Sequence, residues 1–403
     1  MHFTYFAKKV SGEEMRGVMD AKDRFDLAKL LRQQSYTLVF CKEEKHKDKS
    51  LMRFFSFLET VSLSEKIFFS RNLAVMVSAG VSIAKALEIL ARQTKNKKFK
   101  VILGELGEGI KKGNSLSEGM KQHPRVFSSL FSAMVKVGEE TGRLSESLIL
   151  ISEQMEKDHT LRKKIKGAMI YPSIVITAMV LIGILMMIYV VPTLTATFEE
   201  LGVQLPLSTR IIIMISNFFV QHTILFAIVL GIAAVSIFSI LRSAKGKKIF
   251  NIIILRAPLF SPLVKKVNSA RTSRTLASLI SAGVDVLEAL NITKEVLQND
   301  KFKEVLEQAR NDIQKGVPIS ESFKKASNLY PILVGEMMAV GEETGKLTDM
   351  LLRLADFYEE EVAEATKNIS TVIEPVLMVI IGVAVGFFAV SMIKPMYSMV
   401  SGL

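Results

Sequence analysis

The chain contains no tryptophan and a single cysteine, Cys41. One thiol excludes an intrachain disulfide and any thiolate cluster. Its five histidines, His2, His46, His123, His159 and His222, are scattered. None is paired at metal-binding spacing or set beside a Ser or Cys nucleophile, so no catalytic constellation is visible. The opening, MHFTYFAKKVSGEEMRG, lacks a basic region followed by an apolar run. A cleavable signal is therefore not expected, and the N-terminus is expected to stay in the cytoplasm. Lys and Arg are missing from Thr193 to Thr209, although the formal net charge is +12.

What is abundant is apolar: hydrophobic residues make up 49% of the 403 residues, and mean hydropathy is +0.32. Membrane segments follow from these values. The lysines and arginines flank apolar runs instead of clustering with aromatics. The basic charge therefore reads as membrane-side, with no direct nucleic-acid partner.

The stretch VGEETGKL, Val340 to Leu347, invites a nucleotide-binding reading. A phosphate loop needs four residues between its first glycine and the Gly-Lys, and then Ser or Thr for Mg²⁺. Here three residues separate Gly341 from Gly345, Leu347 replaces the hydroxyl, and Glu342 and Glu343 would repel phosphate. The same words recur as VGEETGRL, Val137 to Leu144, without the lysine. The octapeptide is a structural element used twice.

A shift of 203 residues superposes the chain on itself. SRNLAVMVSAGVSIAKAL, from Ser70, falls on SRTLASLISAGVDVLEAL, from Ser273; GNSLSE, from Gly113, falls on GVPISE, from Gly316. Pro172 meets Pro375, and Pro192 meets Pro395. Apolar residues at three- and four-residue spacing predict short helices in each copy. Gly80 and Gly283 are expected as left-handed helix ends, with Ser82 and Asp285 as N-caps and Glu288 completing a capping box. Gly113 and Gly316 mark further ends, with Ser115 and Pro318 as restart signals.

Three apolar runs have the length of a bilayer core, at 170–191, 222–241 and 374–393. Only the first and third belong to the repeat. A module that crosses outward at its end needs one return helix before its copy can face the same way, and the middle run supplies it. Arg162, Lys163, Lys164 and Lys166 precede the first run, and Arg242, Lys245, Lys247 and Lys248 follow the second. The charge bias places both helical bundles in the cytoplasm and the C-terminus outside.

The expected fold is an all-α integral membrane protein with a small α+β N-terminal module. Its expected parts are that module at 1–40, a charged flexible linker at 41–61, the first bundle at 62–169 and the first span at 170–191. An external loop at 192–221, the second span at 222–241, a cytoplasmic linker at 242–264 and the second bundle at 265–373 follow. The third span at 374–393 and an external tail at 394–403 complete the chain.

The candidate site residues sit in the doubled motif: Gly138, Glu139, Glu140 and Gly142, with Gly341, Glu342, Glu343 and Gly345. Carboxylates near a helix C-terminus oppose the helix dipole. Arg143 or Lys346, a neighbouring subunit or a divalent cation such as Ca²⁺ could compensate, with Glu139 and Glu140 as the metal candidates. The plainest reading is a helix–helix corner with a surface ion pair; a partner contact is the next. Glu374 is a carboxylate at the edge of the third run, where it either serves function or simply touches water. Gly382 and Gly386 form a GxxxG that suits helix packing within one chain or between subunits.

The SAGV element, the VGEETG(R/K)L element and the YP and EP entries into the first and third runs together resemble the type II secretion system F / PilC family. That resemblance covers essentially the whole chain. It implies a multi-pass inner-membrane platform protein of a type IV pilus or type II secretion machine, and no enzyme. It also implies a homo-oligomer in the lipid bilayer that contacts a hexameric assembly ATPase, pilin or pseudopilin subunits and other inner-membrane assembly proteins. No cofactor is implied beyond a possible divalent cation. The alternative class, a membrane transport or channel subunit, would need a polar path, and the first and third runs carry almost no ionisable groups inside them.

Overall fold

The computed structural model describes residues 2–9, 14–21, 23–33, 36–44, 60–200, 205–222, four residue pairs between 228 and 240, and 243–401. The chain divides into two compact units, Met1–Val61 with Thr94–Lys100, and Ser62–Gln93 with Val101–Leu403.

In the first unit β1 (His2–Lys8), β2 (Glu14–Asp20) and β3 (Thr37–Glu44) form an antiparallel sheet in the order β2-β1-β3. Helix α1 (Arg24–Gln33) starts where Asp23 Oδ1 accepts from the N–H groups of Phe25 and Asp26, both at 2.8 Å. Alternation along β1 sends Tyr5 and Ala7 inward against Leu27 and Leu31 of α1. The expected strand pair is thus a three-stranded sheet. Its third strand takes up Cys41 to Glu44, the beginning of the stretch expected as a linker. Residues 45–59 of that linker lie outside the described residues.

In the second unit, with Lys97–Lys100 at the start of α4 excepted, each repeat folds as a bundle of helices. The first holds α2 (Leu63–Ser78), α3 (Ile83–Gln93), α4 (Lys97–Lys111), α5 (Leu116–Lys121), α6 (Ser129–Glu140) and α7 (Leu144–Leu185). A π turn (Met186–Val190) and α8 (Val191–Glu200) carry α7 onward, and α9 (Leu207–Gln221) and α10 (Ala244–Arg256) lie between the bundles in sequence. The second bundle repeats the pattern as α11 (Ser261–Ser281), α12 (Val286–Val296), α13 (Asp300–Ile313), α14 (Ile319–Lys325), α15 (Ile332–Glu343) and α16 (Leu347–Ser401).

The helix ends follow the sequence signals. Gly80 and Gly283 adopt φ of 81° and 89°. In each, the following N–H reaches back five residues, Val81 to Met76 and Val284 to Leu279, as a left-handed C-terminus requires. Asp285 caps α12 through Leu287 N–H, not through a box with Glu288; the capping box stands instead at Ser62 and Glu65. The two cores have diverged as a pair. In the first, Phe69 packs on Phe127 with centroids 5.8 Å apart. In the second, the equivalent Thr272 and Tyr330 are buried with their hydroxyls 2.9 Å apart. A buried phenol needs a hydrogen-bond partner, and the exchange of Phe for Thr supplies it.

The apolar runs do not begin at helix boundaries. A continuous helix spans Leu144–Phe198 and a second spans Leu347–Ile393, both long and apolar enough to cross a membrane by length and composition. Pro172 lies inside α7. Ahead of Pro192, which has no N–H and crowds the preceding turn, the helix widens into the π turn, and Val191 N–H bonds Met186 C=O. Residues 192–221, expected as a loop, hold α8 and α9. These pack with the ends of the long helices around Val191, Phe198, Ile212 and Met392. Thr209 Oγ1 donates to Ser391 C=O at 2.5 Å, and Ser216 Oγ to Met187 C=O at 2.6 Å. Most of the run at 222–241 lies outside the described residues.

Candidate functional site

The doubled motif forms a corner in each bundle. Gly142 and Gly345 take φ of 70° and 68°, ending α6 and α15 in the left-handed conformation that glycine tolerates. Thr141 and Thr344 tie the last turn down by donating to Val137 and Val340 C=O at 2.7 and 2.6 Å. Gly138 and Gly341 let the next long helix approach. A Cβ on Gly138 would sit 2.8 Å from Ser147 Cβ, and one on Gly341 2.8 Å from Leu347 Cα.

The two glutamates of each motif have separate tasks. Glu139 accepts from Leu116 N–H at 2.5 Å and Ser117 N–H at 2.9 Å, one bond to each carboxylate oxygen. Glu342 accepts from Ile319 N–H at 2.6 Å and Ser320 N–H at 3.1 Å. The charge that opposes its own helix dipole therefore satisfies the free N–H groups at the start of α5 and of α14. Neither Arg143 nor Lys346 performs this task. Glu140 is exposed, 3.6 Å from Lys136, and Glu343 is exposed as well. Glu139 and Glu140 thus act apart. Among the described residues no group of three or more His, Cys, Asp and Glu side chains is placed to hold a metal ion.

Glu374 is exposed along α16. A Cβ on Gly382 or Gly386 would meet nothing within 4 Å, so no described residue packs against the GxxxG face.

Sequence reading missed one densely charged place, the junction of the two bundles. Arg71 pairs with Glu156 at 2.6 Å in the first bundle, and their equivalents Arg274 and Glu359 pair at 2.8 Å in the second. The first pair is solvated, with Arg71 55% exposed, whereas Arg274 is only 11% exposed because α7 lies across it. Arg274 also bonds Asp356, and Lys157 of α7 reaches Asp356 at 3.3 Å and Glu359 at 3.4 Å. Burial alone would lower Arg274, but hydrogen bonds and charges from Glu359 and Asp356 hold it above its ordinary value. Burial would raise Asp356, yet Arg274 and Lys157 keep it below the usual carboxylate range. Arg271, paired to Asp158 at 3.2 Å, is lowered chiefly by burial. Gln154 of α7 closes the contact, donating to Thr275 Oγ1 at 3.3 Å and accepting from Ser278 Oγ at 2.8 Å. The signal in the sequence was the repeated Ser-Arg at 70–71 and 273–274, which the shift by 203 had already aligned.

The geometry offers clamps, corners and struts. The sequence pattern of one family, described as type II secretion system (T2SS), protein F, matches the chain twice, at residues 69–192 and 272–395. The chain belongs to this family. Both ends of the second match lie 203 residues beyond those of the first, the offset of the internal repeat. Relatives in the family carry two kinds of name. The chain is similar to the type IV pilus assembly protein PilC of Thermus thermophilus, 34% identical with 100% of this chain and 98% of the relative covered. The PilC of Myxococcus xanthus is 31% identical over 100% and 95%. The type II secretion system protein F of Pseudomonas aeruginosa is 29% identical over 98% of each.

Proposed function

We propose that the chain is a multi-pass platform protein of the inner membrane that couples a hexameric cytoplasmic assembly ATPase to insertion of pilin or pseudopilin into a growing fibre. In this reading residues 170–191, 222–241 and 374–393 cross the bilayer, both bundles face the cytoplasm, and the C-terminus lies outside. The chain works as a homo-oligomer beside other inner-membrane assembly proteins, catalyses no step itself and needs no cofactor. The names of the relatives, divided between pilus assembly and type II secretion, support the class of machine.

The observation that carries the reading is mechanical. The last helix of each bundle runs without a break into its apolar segment; the first covers 55 residues, Leu144–Phe198, about 80 Å of helix. Each bundle grips its own strut at a glycine corner, and the junction network locks the two struts together. Work done on a bundle in the cytoplasm then arrives in the bilayer as movement of a rigid rod. A flexible glycine linker inserted after Gly167, or after Ser370 in the second copy, tests this. The variant should remain in the membrane and co-purify with the assembly ATPase, but assemble no fibre. Fibre assembly at the normal level with both linkers in place would refute the coupling.

A further inference from the structure

The two bundles are copies, so a contact that joins different faces of them leaves the matching faces unused at the outer ends. Such a contact exists. The C-terminal half of α6 faces the start of α12 across a cleft lined by Lys136, Val137, Gly283, Asp285, Glu288 and Glu295, and Val137 Cγ1 lies 3.4 Å from where a Cβ on Gly283 would sit. Lys121 and Lys136, partly offset by Glu140, leave the first bundle's side with a positive excess, and three acidic residues face them from the second.

A shift of 203 residues locates the unused faces. Val137 becomes Val340 and Gly283 becomes Gly80. A Cβ on Gly80 would meet nothing within 4 Å; Val340 is 47% exposed, and Ile332, at the position of Ser129, is 70% exposed. The net charge of both faces reverses. Glu288 and Glu295 become Lys85 and Arg92 on α3; on α15 Glu336 stands for Ala133 and Ala339 for Lys136, while Glu343 keeps the charge of Glu140. Glu88 pairs with both Lys85 and Arg92, and Lys324 lies 3.5 Å from Glu336. Even so, the α3 face keeps a positive excess and the α15 face a negative one.

We infer that a second copy of this chain docks its α3 face on the α15 face of the first, repeating between chains the contact that joins the two bundles within one. Continuity with that internal contact, the reversed net charge of both faces and the apolar residues left bare at the centre identify the occupant. The interface joins unlike faces and is therefore heterologous. Both repeats enter their apolar helices in the same sense, so repetition turns about an axis along those helices. Closure into a ring rests on the membrane reading proposed above; the interface itself does not.

The test uses full-length chains in a Cys41→Ser background. One chain carries Val340→Cys and one tag; the other carries a second tag and Ile89→Cys, on α3 at the position of the cleft residue Ile292, and both are co-expressed and oxidised. A mixed-tag disulfide dimer is expected. Lys85→Glu with Arg92→Glu should lower its yield more than about tenfold, because like charges then face each other. Glu336→Lys with Glu343→Lys on the partner chain should restore it. Should Val340→Cys perturb the fold, Ile332→Cys replaces it. No mixed-tag product from either cysteine, a Val340→Cys dimer with itself, or charge reversal without loss and rescue would overturn the interface. Membrane fractionation and ATPase co-purification, run on the same cells, separate failure of the platform reading from failure of this one.

Discussion

Replacing Glu139 or Glu342 by Ala should loosen the start of one short helix in each bundle, and by unequal amounts. Each carboxylate accepts two backbone N–H bonds. A charge-assisted bond contributes about 1.5–3 kcal/mol, but at a half-buried helix start water replaces part of it, as for N-caps lost at about 0.5–2 kcal/mol. About 1–2 kcal/mol is expected at α5, where Ser115 Oγ still accepts from Glu118 N–H at 3.2 Å. At α14 the cap position is Pro318, whose side chain accepts nothing, so the loss should reach about 2–3 kcal/mol. Hydrogen exchange on the full-length protein reads this locally. The amides of Leu116 and Ser117 should exchange roughly 5–30-fold faster in Glu139→Ala, and those of Ile319 and Ser320 faster still in Glu342→Ala. Glu140→Ala, an exposed i,i+4 pairing with Lys136, should change them by less than about 0.5 kcal/mol. Equal effects from Glu139→Ala and Glu140→Ala would refute the division of labour between the two glutamates.

Three more outcomes are expected. Arg274→Ala should destabilise by about 1.5–3 kcal/mol, since half-buried Glu359 loses the nearer of its two cations and keeps only Lys157, whereas Arg71→Ala at the solvated copy should cost less than about 1 kcal/mol; denaturant titration compares them, and equal losses would count against the junction. Thr272→Val leaves the Tyr330 hydroxyl buried and unpaired and should cost about 1–3 kcal/mol. Adding Tyr330→Phe should recover most of it, and a double variant as weak as the single would contradict the paired exchange. Asp356 is held below the ordinary carboxylate value, so its contribution is complete above about pH 4 and is lost as pH falls through the lower folded value. Unfolding midpoints between pH 6 and pH 3 should drop less steeply in Asp356→Asn, and an unchanged slope would exclude the group.

The parts of the fold readable in advance were those set by local chemistry. Gly80, Gly283, Gly113 and Gly316 announced their left-handed turns because no other residue suits them, and Ser115 announced a cap. The phosphate-loop reading failed on spacing, on the missing hydroxyl and on the recurrence of the motif without its lysine. The partner of Glu139 lies 23 residues back in the chain, a separation at which periodicity carries no information, so only its need for compensation was visible. The continuity of α7 and α16 into the apolar runs was hidden for another reason. Pro172 and Pro375 mark boundaries by local rule, yet in long helices held by neighbours a proline bends or loosens one turn without ending it. The third strand was concealed by charge, because Lys42, Glu43 and Glu44 read as solvated chain and edge pairing with β1 needs only their backbone. The junction network was legible as a repeated arginine, but its burial depends on packing between copies.

Coupling requires two copies that face the same side of a bilayer, and site-directed labelling measures this directly. In a Cys41→Ser background, Lys112→Cys and Lys315→Cys occupy equivalent exposed positions of the two bundles, and Thr197→Cys lies on α8. A membrane-impermeant maleimide applied to cells whose outer barrier has been opened should label Thr197→Cys at once. It should leave both lysine replacements unlabelled until the inner membrane is breached. Labelling of Lys315→Cys from outside, with Lys112→Cys still protected, would put the copies on opposite faces and contradict the account.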